Sequence, residues 1–193
     1  MTVISVVTGS IRQNRFSEKP ARWIRDHLAQ RPGLEVRLLD LRDYPMPFFD
    51  EATPPSVPGR APYENEAVTR WTQAVAASDA FVFVTGEYNF GPPAVLKNAI
   101  DWVYPEWNRK AAAFVGYGSV GGARSVQQMR LIVNECQMMP IRRAVHLPLD
   151  ALMTHFAGGD VEAALKGSDA NADLMIDDLL WWTEALKAAR AKG

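Results

Sequence analysis

The chain is poor in three things: cysteine, histidine and charge of one sign. Cys136 is the only cysteine among 193 residues. That excludes an intrachain disulfide framework and any cysteine-rich metal site, and it suits a reducing compartment. His27, His146 and His155 are the only histidines and show no metal-ligand spacing. Lys and Arg number 21 against 22 Asp and Glu, a formal net charge of −1. Such a balance gives no general pull toward nucleic acid or an anionic membrane. No run of 18 apolar residues exists, so no membrane-spanning helix is expected. Met1-Thr2-Val3-Ile4 has no basic flank and its apolar run breaks at Gly9. It reads as a first strand and not as a signal peptide. A cytoplasmic location is the expectation.

What is present is an ordinary globular composition, with 48% hydrophobic and 22% charged residues. One domain spanning 1–193 is expected, large enough to bury roughly 70% of its unfolded surface. Short β-branched runs alternate with helix-period segments, which argues for βαβ units and a parallel sheet. The strands read as Val3–Thr8, Leu34–Leu39, Ala80–Thr85, Ala111–Tyr117 and Ile141–Leu147. The helices read as Ser17–Gln30, Glu66–Ala77, Pro92–Tyr104, Gly122–Met138 and Asn171–Ala189. Asp40 to Asn65 holds Pro45, Pro47, Pro54, Pro55, Pro58 and Pro62, so it reads as a long surface loop. Segment 148–170 contains glycines and gives no clear period. The fold class is α/β, a three-layer doubly wound five-stranded parallel sheet. In such sheets ligands bind at the carboxyl ends of the strands, so the loops after strands 1, 3 and 4 are the places to look.

The loop after strand 1 is Gly9-Ser10-Ile11-Arg12-Gln13-Asn14-Arg15-Phe16-Ser17, and it leads into a helix. Unpaired N–H groups at a helix start stabilise an anion. Ser10 and Ser17 add hydroxyls, and Arg12 and Arg15 add charge with a fork suited to phosphate. A Gly-Lys-Ser/Thr is missing, so a triphosphate-hydrolysing loop is not indicated. The bland alternative is a helix cap at Ser17 with two solvated arginines. The loop after strand 3, Gly86-Glu87-Tyr88-Asn89-Phe90-Gly91-Pro92, sets two aromatics between glycines. They could flank a flat ring or plug the core. The loop after strand 4, Gly116-Tyr117-Gly118-Ser119-Val120-Gly121-Gly122, holds a formal G-x-G-x-x-G. A dinucleotide fingerprint belongs on the first βα turn, so close backbone approach to a flat ring is the better use.

These loops together resemble the NAD(P)H-dependent FMN reductases, which include flavin, quinone, azo and chromate reductases. The resemblance rests on Gly9-Ser10-x-Arg12…Ser17, on Glu87-Tyr88-Asn89 with Gly91-x-Pro93-x-x-Leu96-Lys97-Asn98-Ala99-Ile100-Asp101-Trp102, and on Gly121-Gly122-Ala123-Arg124. It covers roughly residues 3–147. One departure is Gly86, where the family usually has Pro. The resemblance implies a flavodoxin-like fold with strand order 2-1-3-4-5 and FMN between strands 1 and 3. It implies that Ser10, Arg12 and Ser17, with the amides of Arg15 and Phe16, hold the phosphate. Glu87, Tyr88, Asn89 and Phe90 would line the ring edge, and Ser119, Gly121 and Gly122 its pyrimidine side. NADPH or NADH would be the donor, a small molecule the electron acceptor, and the exchange ping-pong. No side chain is assigned as catalytic, because the flavin carries the chemistry. A non-catalytic flavodoxin-type electron carrier is the alternative, but carriers are usually strongly acidic.

Other features read as structural. Cys136 sits on an apolar helix face as a buried small hydrophobe. Lys97 and Asp101 form an i, i+4 pair, and Asp50-Glu51 is solvated. The string Trp102, Tyr104, Pro105, Trp107 exceeds what one core face absorbs. It either packs under the long loop or forms a subunit interface. The interface is the expectation, because the family's members are usually homodimers or homotetramers.

Overall fold

The computed structural model describes residues 1–192. Its strands are β1 (Thr2–Thr8), β2 (Leu34–Asp40), β3 (Ala80–Gly86), β4 (Ala111–Tyr117) and β5 (Met139–His146). They form one sheet in the order β2-β1-β3-β4-β5, with every pairing parallel. The helices are α1 (Glu18–Ala29), α2 (Glu66–Ala76), α3 (Ala94–Asp101), α4 (Ala123–Glu135), α5 (Leu149–Phe156), α6 (Val161–Leu165) and α7 (Asp169–Arg190).

β3 and β4 are buried at every residue, as strands covered on both faces must be. Their alternation sorts the core into two layers. Val82 and Val84 pack with Ile24 and Leu28 of α1 and Met175 and Leu179 of α7. Phe81 and Phe83 pack with Val68 of α2, Leu96 of α3 and Met129 of α4. Segment 148–170 resolves into α5, α6 and a short 3-10 turn at Lys166–Ser168, and it belongs to the first layer. Glycines at 158, 159 and 167 divide it into pieces too short to show a helical period.

The tryptophan string corrects the interface expectation. Trp102 and Trp107 are 1% and 0% exposed. Trp107 packs edge-on against Phe81 and Trp71. Trp102 meets Phe49 and Tyr63 of the proline-rich segment. Its indole N–H and the Asn98 amide both donate to the Pro47 carbonyl at 2.8 Å. The Phe49 N–H donates to Asn98 Oδ1 at 2.9 Å, and Tyr63 OH donates to the Trp102 carbonyl at 2.6 Å. Beyond a 3-10 turn at Leu41–Asp43 the segment has no regular element, and these side chains hold it down in place of a backbone ladder. Trp102 and Trp107 are core, so they cannot serve as a subunit contact, while Tyr104 is half-buried.

The order places β1 beside β3, with β2 on one side and β4 and β5 on the other. Chain connections leave β1 and β3 in opposite directions, which opens a crevice at their carboxyl ends.

Candidate active site at the strand ends

The strand-1 loop is held from three directions. Arg42, just past β2, donates to the carbonyls of Ile11 and Arg12. His155 of α5 pairs with the Asn14 carbonyl at 3.1 Å. Ser10 Oγ shares a 2.9 Å hydrogen bond with Tyr88 OH of the strand-3 loop. The two loop arginines differ. The Arg15 guanidinium is 3% exposed, donates to the Ser10 carbonyl at 2.6 Å and forks onto Asp40. Burial alone would raise the Asp40 carboxyl, but the Arg15 hydrogen bonds and the Arg42 N–H outweigh it and hold it below the usual range. Against the expectation of a free charge for an anion, Asp40 neutralises the Arg15 guanidinium; its Nε, buried without a hydrogen-bond partner, and its amide remain for a ligand. Arg12 is exposed, lies over the Tyr88 ring at 5.7 Å, and among the described residues has no carboxylate partner.

Ser17 also departs from the simple cap. It precedes α1 in helical conformation, and its side chain makes no capping bond. Its hydroxyl is buried and faces the Tyr117 phenol, but meets no group in hydrogen-bond geometry. Such a group costs free energy unless something else satisfies it.

In the strand-3 loop, Tyr88 and Gly91 exchange backbone hydrogen bonds at 2.9 and 3.1 Å. Asn89 and Phe90 are forced to φ of 48° and 76°, a conformation that costs roughly 1–3 kcal/mol for a residue with a Cβ. Phe90 is 60% exposed, so it is not a core plug. Glu87 turns inward: its carboxylate accepts from the Arg124 N–H at 3.1 Å and Arg124 Nε at 2.5 Å. At Gly86 an added Cβ would lie 2.8 Å from the Tyr117 ring. The departure at Gly86 and the tyrosine at 117 thus go together. Tyr117 fills the space beside Gly86, and its hydroxyl faces Ser10 and Ser17. Burial, with Tyr88 nearby, pushes its phenol up to about 12.

In the strand-4 loop, Gly121 and Gly122 have φ of 64° and 66°. A Cβ at Gly121 would meet His146 Cβ at 2.9 Å. A Cβ at Gly122 would meet the Tyr117 N at 2.5 Å. These glycines let the loop fold tightly back on β4 and β5. Ser119 and Val120 stand exposed at its tip.

Ser10, Arg12, Arg15, Phe16, Glu87 and Tyr88 line one cavity of about 130 Å³. The other expected site residues, namely Ser17, Asn89, Phe90, Ser119, Gly121 and Gly122, do not line it; they lie on or beside the same three loops. Tyr117, Leu152 and Phe156 line it as well, and sequence reasoning missed them. Tyr117 reads as the last residue of an apolar strand. The α5 residues fall in the stretch without a period. A larger cavity of about 600 Å³ lies beneath the proline-rich segment, but none of the strand-end loops reaches it. Among the described residues no group of three or more His, Cys, Asp or Glu could hold a metal ion.

Comparison with known proteins agrees with this architecture. The sequence profile of the family described as NADPH-dependent FMN reductase matches residues 1–151. An NAD(P)H-dependent FMN reductase of Schizosaccharomyces pombe is 35% identical over 152 residues, covering 78% of this chain and 76% of that one. A quinone reductase of Pseudomonas putida is 30% identical over 148 residues, covering 71% and 74%. Among solved structures, the flavoenzyme NAD(P)H:(acceptor) oxidoreductase FerB of Paracoccus denitrificans superposes with a TM-score of 0.67 at 25% identity, over 93% of this chain and 97% of that one. The strand order, the three loops and these likenesses agree: the chain belongs to the NADPH-dependent FMN reductase family.

Proposed function

We propose that the chain holds FMN across the carboxyl ends of β1, β3 and β4 and passes electrons from NAD(P)H to a small oxidant. The observation that carries this reading is the buried Ser17 hydroxyl without a partner, beside Ser10 and the uncompensated Arg12. A phosphate monoester would satisfy the Ser17 hydroxyl and the Arg12 charge where α1 begins, and could accept from Ser10 beside its Tyr88 bond. The Arg15 and Phe16 amides complete the cradle. Bound flavin supplies the two-electron exchange between nicotinamide and acceptor. The protein's part is to bind and orient. Glu87, Tyr88, Asn89 and Phe90 line the ring edge. Ser119, Gly121 and Gly122 offer backbone at the start of α4, where the helix end favours negative charge. One binding face serves donor and then acceptor, so exchange is ping-pong.

A second copy of the chain completes the site in this reading. Phe90, Val120, Met153 and Phe156 are all half exposed or more, on the loops and helix around the crevice. A homodimer or homotetramer would cover them. The cytoplasm suits a chain whose one cysteine is a buried thiol, pushed up to about 11 by burial.

Two measurements test the reading. The purified protein should show a bound-flavin spectrum that bleaches on anaerobic addition of NADPH or NADH. Steady-state rates with a quinone acceptor should give parallel double-reciprocal lines. A colourless protein that neither binds FMN nor oxidises NAD(P)H in its presence overturns the proposal.

A further inference from the structure

Glu87 and Arg124 join two of the three loops. The Glu87 side chain is 4% exposed, so its carboxylate has lost nearly all its water. One residue replaces that water. The Arg124 backbone N–H reaches Oε2 at 3.1 Å, Nε reaches Oε1 at 2.5 Å, and the terminal nitrogen also contacts Oε1. The guanidinium, 40% exposed, lies 4.9 Å from the centre of the Phe90 ring. Asn89 and Phe90, the two left-handed residues of the turn, therefore sit between a pair of backbone bonds and a cation over the ring. Glu87 also lines the strand-end cavity.

We infer that Arg124 and Glu87 act as a charge-paired clamp that positions the 88–91 turn and sets the reduction potential of the bound flavin. The inference rests on the flavin reading given above. Reduced flavin carries more negative charge than oxidised flavin; Glu87 lines the crevice and Arg124 is paired to it, so a flavin held there would act on both charges. Together they nearly cancel. Removing either leaves the other uncompensated, so the two deletions act in opposite directions. Arg124 is a positioning residue in this scheme, and its planar fork cannot be reproduced by lysine.

The test measures the potential and the FMN affinity of four variants of the holoprotein. Arg124→Ala leaves a lone carboxylate and should weaken binding of reduced FMN about tenfold more than oxidised FMN. That difference makes the potential roughly 30 mV more negative for a two-electron couple. Glu87→Gln keeps an acceptor for the Arg124 N–H but frees the cation, and should shift the potential the other way. The double variant should return close to wild type. Arg124→Lys should keep the potential and lose FMN affinity, because charge remains and the fork does not. A merely structural clamp would lower affinity in every variant without a sign change. Shifts of the same sign, or none, in a protein that still binds FMN overturn the inference and leave the flavin reading standing. Failure of the wild-type protein to bind FMN overturns both.

Discussion

The proline-rich segment 44–65 and the strand-1 loop 9–17 are both irregular, yet they treat their polar groups in opposite ways. In the proline-rich segment the anchoring groups are committed. Pro47 accepts from two side chains, Phe49 donates to Asn98, and Tyr63 donates to the Trp102 carbonyl. In the strand-1 loop the Ser17 hydroxyl has no partner and Arg12 has no counter-charge among the described residues. Satisfied polar groups hold a loop in place, whereas unsatisfied ones at the end of a parallel sheet await a ligand. The same contrast appears three residues apart inside one loop. Arg15 is buried against Asp40 and Arg12 is not paired.

The contrast breaks first, and hardest, under the proline-rich segment. Trp107→Ala should cost about 3–5 kcal/mol, the usual range for a buried tryptophan. Chemical denaturation checks this, and light scattering should give the surviving fold the same mass as wild type. A smaller species with intact stability would return Trp107 to an interface. Next comes Arg15→Ala, which strands a carboxylate at the end of β2 and should cost roughly 3 kcal/mol. Its pH dependence has a defined sign. The folded Asp40 carboxyl lies below its ordinary value. The pair therefore contributes fully above the ordinary aspartate range, near pH 4, and its contribution is lost as pH falls through the lowered folded value. Acid titration of stability should lose that portion of its slope in Arg15→Ala.

Much of the fold was legible because the strands that matter are apolar on both faces. Ala80–Thr85 could scarcely be anything but a central strand, and β3 spans Ala80–Gly86. Helices that cross the sheet showed their period, with errors of a few residues at their ends. Gly122, for example, precedes α4 in a left-handed turn and does not begin it. Segment 148–170 was opaque because its helices are 8 and 5 residues long. The tryptophans misled for another reason: a buried aromatic and an interfacial one read alike along a chain. The site was legible as loops and not as individual roles. Arg15 finds Asp40 across 25 positions, and Tyr117 fills a gap left by Gly86 on a neighbouring strand. No local pattern encodes either pairing.

Arg12→Ala sharpens the comparison from the other side. An exposed arginine without a carboxylate partner adds little to folding, so stability should change by under about 0.5 kcal/mol. A charge-assisted bond to phosphate is worth about 1.5–3 kcal/mol, so FMN affinity should fall roughly 10- to 150-fold. Riboflavin, which lacks the phosphate, should bind variant and wild type alike. Equal losses for both flavins would remove Arg12 from the phosphate and weaken the assignment of the whole loop.

The smallest effect is the most diagnostic, because its sign reverses with the ligand. Ser17 Oγ is buried without a protein partner in hydrogen-bond geometry, and such a group costs about 1–3 kcal/mol. Ser17→Ala removes the unsatisfied oxygen and leaves little more than its volume behind. The ligand-free protein should therefore become more stable by about 1 kcal/mol. With FMN present the same substitution deletes a hydroxyl that would donate to a phosphate oxygen, so affinity should fall about tenfold. Thermal denaturation with and without saturating FMN measures both halves on one sample. The two melting curves should converge: the ligand-free variant melts above wild type, and the FMN-induced rise becomes smaller. A hydroxyl that merely packs against Tyr117 and Phe16 would behave differently. Its loss would lower stability slightly in both conditions and leave the FMN-induced rise intact. That result would make Ser17 part of the committed region, and the contrast drawn between the two loops would then rest on Arg12 alone.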